Sequence, residues 1–146
     1  MSAKYLFPIA MGGFFIFYVS LMLRQPSFTF QEGDIFFQDL DCGPPCDAIE
    51  AVTQGYMGSN LSHCAIITKV GPNLKTTKLT EAIGETVVET SLEEFLDRSN
   101  KVLVGRLKNE HAELIPIALK HIKDNLLGKP YDFIFDITDD TYYCSE

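Results

Sequence analysis

The chain has 146 residues, which is enough for one domain. Its formal net charge is −8, and its 12 Lys and Arg residues are scattered along the sequence. Because nucleic-acid binding requires a basic face that neutralises phosphates, the composition argues against a nucleic-acid partner. With 46% hydrophobic residues, the chain can form a real core even when its N-terminal segment is set aside.

Residues 5–23 form an uncharged apolar stretch between Lys4 and Arg24. A helix of this length spans about 30 Å, the thickness of the hydrocarbon core of a membrane. No A-x-A-like cleavage site precedes Phe28, which favours a retained anchor over a cleaved signal peptide. We predict a signal anchor or signal peptide over residues 1–24 and a linker over 25–32. The domain that follows is then exported, either periplasmic or anchored in the membrane by its N-terminal hydrophobic helix.

Short runs rich in β-branched residues, bounded by turn residues, predict five strands at 35–40, 61–70, 78–83, 86–89 and 101–107. Helices are predicted at 47–53, 92–98 and 115–127. Asp47 caps the first helix, and Ser91 with Glu94 forms a capping box before the second. Residues 43–45 (Gly-Pro-Pro) predict an irregular loop. This order predicts an α+β domain with a mostly antiparallel sheet packed with helices.

A thiol nucleophile requires a base within hydrogen-bonding reach and an acceptor that orients the base. His63 is the candidate base, because it begins an apolar strand directly after a loop of Gly, Ser and Asn residues. His111 and His121 have charged neighbours and are predicted to lie on the surface. Glu81 is the candidate orienting group, because it interrupts the apolar pattern of the next strand. Asp132 is a weaker alternative.

The four cysteines have different predicted roles. Cys64 follows His63 directly, so its side chain is predicted to face away from the imidazole and to fill the core. Cys42 and Cys46 share one loop, where a disulfide or two buried thiols are expected; a metal site with His63 is an alternative. Cys144 follows residues that often cap helices, and a helix start would lower its pKa; a buried or stray terminal cysteine is the other interpretation.

Five segments occur in a characteristic order between Gly33 and the last residue: GDIFFQDLD, SHCAI, TEAI with VVETSLEEF, GKPYDFIFD and YYCSE. They resemble the permuted NlpC-type, papain-like cysteine hydrolases of the YiiX/YebB kind, in which a His-bearing strand precedes the cysteine. The resemblance implies a permuted papain-like domain over 33–146, with Cys144 as nucleophile, His63 as general base and Glu81 as the polar third member. It implies amidase or peptidase activity on a peptide or amide, such as one derived from peptidoglycan, without a metal or organic cofactor.

In one respect the sequence departs from this family. The family cysteine opens a helix, whereas the sequence stops two residues after Cys144, too few for a helical turn. We therefore expect a domain that is truncated at its C-terminus. The alternatives to an enzyme are a non-catalytic cell-wall or lipid binding module on the same fold, and a structural domain stabilised by a disulfide or metal.

Overall fold

A computed structural model describes residues 28–145 of the chain. Their five strands form one sheet in the order β4-β3-β2-β1-β5, and all neighbouring strands are antiparallel. The strands are β1 (Ile35–Gln38), β2 (His63–Lys69), β3 (Lys78–Ile83), β4 (Thr86–Ser91) and β5 (Val102–Gly105). The predicted α+β domain with an antiparallel sheet is thereby confirmed. The predicted N-terminal helix lies outside the described residues, and within residues 28–145 no helix is long and apolar enough to cross a membrane.

Within residues 28–145, three α-helices accompany the sheet: α1 (Pro44–Val52), α2 (Leu92–Asp97) and α3 (Leu114–His121). Helix α3 continues into a π-helical turn, Ile122–Leu126, and 3-10 turns span Tyr56–Gly58 and Asn109–His111. The predicted capping box is present: the Ser91 hydroxyl accepts from the backbone N–H of Glu94, whose carboxylate accepts from the backbone N–H of Ser91. The second helix therefore begins where its cap predicts.

The prediction of an irregular loop over residues 43–45 is wrong. Helix α1 begins at Pro44, and Gly43 before it adopts a positive φ of 77°. Proline suits the first turn of a helix, because its φ is already helical and the N–H that it lacks would have no partner there. Asp47, the predicted cap, therefore lies in the first turn instead.

The core lies between one face of the sheet and helix α2. Side chains of three central strands meet Leu92 and Phe95, which lie three residues apart on one side of the helix and are fully buried. The cluster consists of Phe36, Ala65, Ile67, Leu79, Leu92 and Phe95. Burial of a side chain such as Leu92 contributes about 1.5–3 kcal/mol, so α2 is held firmly against the sheet face that also carries His63 and Glu81.

Candidate active site

The buried imidazole of His63 is bonded to the carboxylate of Glu81. His63 begins β2 and Glu81 lies in the neighbouring strand β3, and the distance from Nε2 to Oε2 is 2.7 Å. The two side chains are 5% and 0% exposed. Burial alone would raise the pKa of the Glu81 carboxyl, but hydrogen bonds from His63 and Arg98 outweigh it and hold that pKa below its ordinary value. Glu81 is therefore an anion, as an orienting group must be.

Arg98 fixes the other oxygen of this carboxylate. It follows helix α2, and its Nη2 donates to Oε1 of Glu81 at 2.6 Å while its guanidinium lies 5.2 Å from the ring centroid of Phe95. The sequence analysis missed Arg98. Its position at the end of a helix is common for basic residues, and only the packing of α2 on the sheet brings it to Glu81.

The C-terminal segment carries Cys144 back to the start of β2. Tyr142 donates its backbone N–H to the carbonyl of Pro130 and accepts from the backbone N–H of Asp132, both at 3.0 Å. Two residues later, Cys144 lies in a turn, and its sulfur is 3.8 Å from the carbonyl oxygen of Ser62. This contact places the thiol beside His63, the next residue after Ser62.

The side chain of Cys144 lies next to the imidazole of His63, and the two residues line the same two clefts. Because Nε2 of the imidazole is bonded to Glu81, Nδ1 is the nitrogen that remains for the thiol. Burial lowers the pKa of His63, but hydrogen bonds to Cys144 and Glu81 outweigh it and raise that pKa. A hydrogen bond from the Cys64 thiol, followed by the bond and charge of His63, lowers the pKa of Cys144 to about 5. Both shifts favour a Cys144 thiolate beside a His63 imidazolium over the neutral thiol and imidazole.

The prediction that Cys64 fills the core is wrong. Its side chain is half-buried, and its Sγ donates to the backbone carbonyl of Cys144 at 2.8 Å. The alternation along β2 does place it on the face opposite the buried His63. However, the returning C-terminal segment covers that end of the strand, so Cys144 meets both neighbouring side chains. Sequence periodicity carries no signal for a contact across 80 residues.

The other predicted candidates lie apart from this chain of contacts. Cys42 and Cys46 form a disulfide, one of the two expected states, which rules out their use as metal ligands. His111 and His121 are exposed, as predicted. The Asp132 carboxylate accepts the backbone N–H groups of residues 134 and 136 at 2.7 and 2.6 Å. It shapes the loop before the C-terminal segment and does not orient His63.

Gln38 is a further buried polar residue next to His63. The two residues are directly paired between β1 and β2, so their side chains share one face of the sheet. The side chain of Gln38 is fully buried, and neither of its polar atoms has a hydrogen-bond partner among the described residues. An amide buried in this way costs about 1–3 kcal/mol of stability.

Two clefts meet at His63 and Cys144. One has a volume of about 280 Å³ and the other about 330 Å³, and both also contain Ser62. Apolar and aromatic side chains dominate their walls. The smaller cleft is lined by Phe37, Ile49, Val52, Leu61, Phe135 and Tyr143, and the larger by Leu40, Pro45, Ile83, Tyr131 and Phe133. A chain-like molecule therefore has room on either side of the thiol.

Residues 29–146 match the family of permuted papain-like amidase enzymes, YaeF/YiiX, C92, and the chain belongs to this family, as the sequence motifs predicted. Among solved structures, the chain is similar to metalloprotein yiiX from Escherichia coli O157:H7. The two share 31% sequence identity with a TM-score of 0.58, over 81% of this chain and 62% of that one. The chain thus spans less than two thirds of its solved relative. The comparison with curated proteins found no match.

The solved relative is described as a metalloprotein, so we tested whether the residues of this chain fit a metal ion. Within residues 28–145, no group of three or more His, Cys, Asp or Glu side chains is arranged to hold one. In the site itself, Nε2 of His63 is bonded to Glu81, and the other oxygen of that carboxylate accepts from Arg98. The side chains that could bind a metal are therefore already hydrogen-bonded to other residues, and they do not fit a metal site.

Proposed function

We propose that the protein is a cysteine amidase or peptidase in which Cys144 is the nucleophile, His63 the general base and Glu81 the group that orients the imidazole. The observation that carries this proposal is the buried bond of 2.7 Å between Glu81 and Nε2 of His63, with the sulfur of Cys144 beside the imidazole and 3.8 Å from the carbonyl oxygen of Ser62. A thiolate, a base and an orienting carboxylate in this order are the parts that acyl transfer by a thiol requires.

In the proposed reaction, the Cys144 thiolate attacks the carbonyl carbon of an amide. The imidazolium of His63 gives its Nδ1 proton to the leaving nitrogen, the C–N bond breaks, and a thioester forms. His63 then takes a proton from water, whose oxygen attacks the thioester. The C–S bond breaks, the acid is released, and the thiolate returns. Glu81 keeps Nε2 protonated throughout, so Nδ1 stays available to exchange protons.

The proposed substrate is a peptide or related amide, and the family resemblance points to peptides derived from the cell wall. The clefts on both sides of Cys144 support a substrate that extends in two directions from the scissile bond. Their apolar walls favour apolar groups near that bond, because such groups gain about 25 cal/mol per Å² on leaving water.

The proposed location is outside the cytoplasm, in the periplasm or tethered to the membrane through residues 5–23. Two features support it. The sequence of that segment is apolar and uncharged over a membrane-spanning length. The Cys42–Cys46 disulfide is typical of proteins that fold in an oxidising compartment.

The test is the pH dependence of alkylation of Cys144 by iodoacetamide in the full chain, followed by mass spectrometry of the peptide that carries it. We expect Cys144 to react with a midpoint far below its ordinary pKa of 9.0, because the hydrogen bonds from Cys64 and His63 stabilise the thiolate. His63→Ala should raise that midpoint. The matched control, His111→Ala, changes an exposed histidine away from the site and should leave it unaltered.

A screen of peptide and amide substrates completes the test, with Cys144→Ala as the variant that should lose all hydrolysis. An ordinary thiol profile for Cys144, unaffected by His63→Ala, would refute the enzyme and support the non-catalytic cell-wall or lipid binding module. A low midpoint without hydrolysis of any peptide would refute the substrate class and leave the thiolate pair intact.

A further inference from the structure

Two free thiols meet in the candidate site. Cys64 and Cys144 are the cysteines of the described chain that are not in a disulfide, and both are half-buried. The Cys64 thiol donates to the backbone carbonyl of Cys144 at 2.8 Å, which places its sulfur against this residue. Amide hydrolysis as proposed above uses only Cys144 as a nucleophile and needs no reaction at the Cys64 sulfur. The second thiol therefore needs its own explanation.

The two sulfurs differ in protonation. The hydrogen bond from Cys64 helps to lower the pKa of Cys144, so Cys144 is the thiolate. The same hydrogen bond, together with burial, raises the pKa of Cys64, which stays protonated. A low-pKa thiolate with a second thiol against it is the arrangement in which a peroxide-oxidised cysteine is resolved to a disulfide.

We propose that Cys64 is the resolving thiol for Cys144, so that a peroxide converts the site reversibly from the active thiolate to an inactive Cys64–Cys144 disulfide. The loss of activity rests on the proposed function, whereas the disulfide chemistry does not. The oxidant is hydrogen peroxide or an organic hydroperoxide.

The reaction balances in two steps. The Cys144 thiolate attacks one oxygen of hydrogen peroxide, the O–O bond breaks, and the departing hydroxide takes a proton from the His63 imidazolium to become water. Cys144 has then lost two electrons and is a sulfenic acid. The Cys64 sulfur attacks the Cys144 sulfur, the S–O bond breaks, and the hydroxyl leaves with the Cys64 proton as a second water. Two thiols and one peroxide thus give one disulfide and two waters.

The surroundings of the pair allow this chemistry. A cavity of about 360 Å³ is lined by both cysteines and by residues of α3, so a peroxide can reach the sulfurs. A disulfide requires a sulfur–sulfur distance of about 2.05 Å, which is shorter than a hydrogen-bonded contact. Cys144 lies in a turn outside any strand or helix, so it can make the remaining approach while Cys64 stays in β2.

The experiment uses the full chain with Cys42→Ser and Cys46→Ser, so that the two site thiols are the only described cysteines. The reduced protein is titrated with hydrogen peroxide, and its peptides are mapped without reduction. We expect the loss of two hydrogens and a linked pair of peptides carrying Cys64 and Cys144, both reversed by dithiothreitol. In Cys64→Ser and Cys64→Ala, Cys144 should instead gain two oxygens as a sulfinic acid that dithiothreitol does not reverse.

The proposal is overturned if Cys144 reaches the sulfinic acid equally fast with and without Cys64, or if no linked peptide forms. Cys144→Ser tests which cysteine reacts with peroxide first: if Cys144 does, Cys64 should resist peroxide in this variant. Hydrolysis is measured in parallel, each variant against its own untreated sample. Oxidation should abolish it in every variant that has Cys144, and dithiothreitol should restore it only when Cys64 is present. A reversible disulfide in a protein that cleaves no amide would refute the proposed function and leave this inference standing.

Discussion

Glu81→Gln removes the negative charge behind His63 while it keeps the shape of the side chain. In the unsubstituted protein, the Glu81 carboxylate accepts from His63 at 2.7 Å and from Arg98 at 2.6 Å, and this side chain is fully buried. A carboxamide has one acceptor oxygen, so it can serve only one of these donors. Because Arg98 is always charged and always a donor, the oxygen should turn to Arg98 and the NH₂ group to His63.

The expected loss follows from the two effects of this exchange. A hydrogen bond to a charged group contributes about 1.5–3 kcal/mol, which corresponds to roughly 10- to 150-fold in rate. An NH₂ group facing Nε2 also favours the tautomer with its proton on Nδ1, and the same fault in a Ser-His-Asp triad costs about 10⁴-fold. We expect kcat/KM for an amide substrate to fall by at least about 100-fold, and the midpoint of Cys144 alkylation to rise.

The free energy of unfolding should also depend on pH in a different way in Glu81→Gln. The folded pKa of Glu81 is lowered, so its contribution is present above its ordinary pKa of 4.5 and is lost as the pH falls through the folded value. The folded pKa of His63 is raised, so its contribution is present below its ordinary pKa of 6.5 and is lost as the pH rises through the folded value. The pair therefore stabilises the fold most between pH 4.5 and 6.5.

Urea denaturation across this pH range measures the effect, with Glu89→Gln as a matched control on an exposed carboxylate of β4. The maximum in the free energy of unfolding between pH 4.5 and 6.5 should flatten in Glu81→Gln and persist in Glu89→Gln. If Glu81→Gln retained both the low alkylation midpoint of Cys144 and the activity of the control, the orienting role of Glu81 would be refuted.

Two further predictions concern stability. Cys42→Ser combined with Cys46→Ser should lower the free energy of unfolding by about 2 kcal/mol, because a short closed loop loses its constraint in the unfolded chain; an unchanged thermal midpoint would contradict this. Gln38→Met should raise the free energy of unfolding by about 1 kcal/mol, because the amide has no partner among the described residues. A fall of similar size in a urea titration would show that this amide does have a partner.

Local patterns predicted much of the fold because their causes are local. The capping box at Ser91 works within one turn of helix, and the strand 78–83 is observed with the predicted bounds. Alternation along β2 likewise places His63 on a buried face. The prediction failed at residues 43–45, where proline was interpreted only as a helix breaker although it also starts helices.

The contacts of the candidate site also include some that the sequence could predict and some that it could not. His63 and Glu81 lie in consecutive strands, and neighbouring antiparallel strands bring such positions together, so their pairing followed from the order of the elements. Arg98 and Cys64 could not be recognised, because each acts through a contact with an element that is distant in the chain or set by helix packing.

By itself, the sequence determined the antiparallel domain and the family, and it predicted Cys144, His63 and Glu81 as the candidate site, because residue type, periodicity and motif order are written along the chain. Only the tertiary structure decided what surrounds them: the arginine that holds Glu81, the second thiol against Cys144 and the clefts on either side. Those contacts arise where α2 packs on the sheet and where the C-terminal segment folds back on β2, and the free energy of such approaches depends on packing that no local pattern encodes.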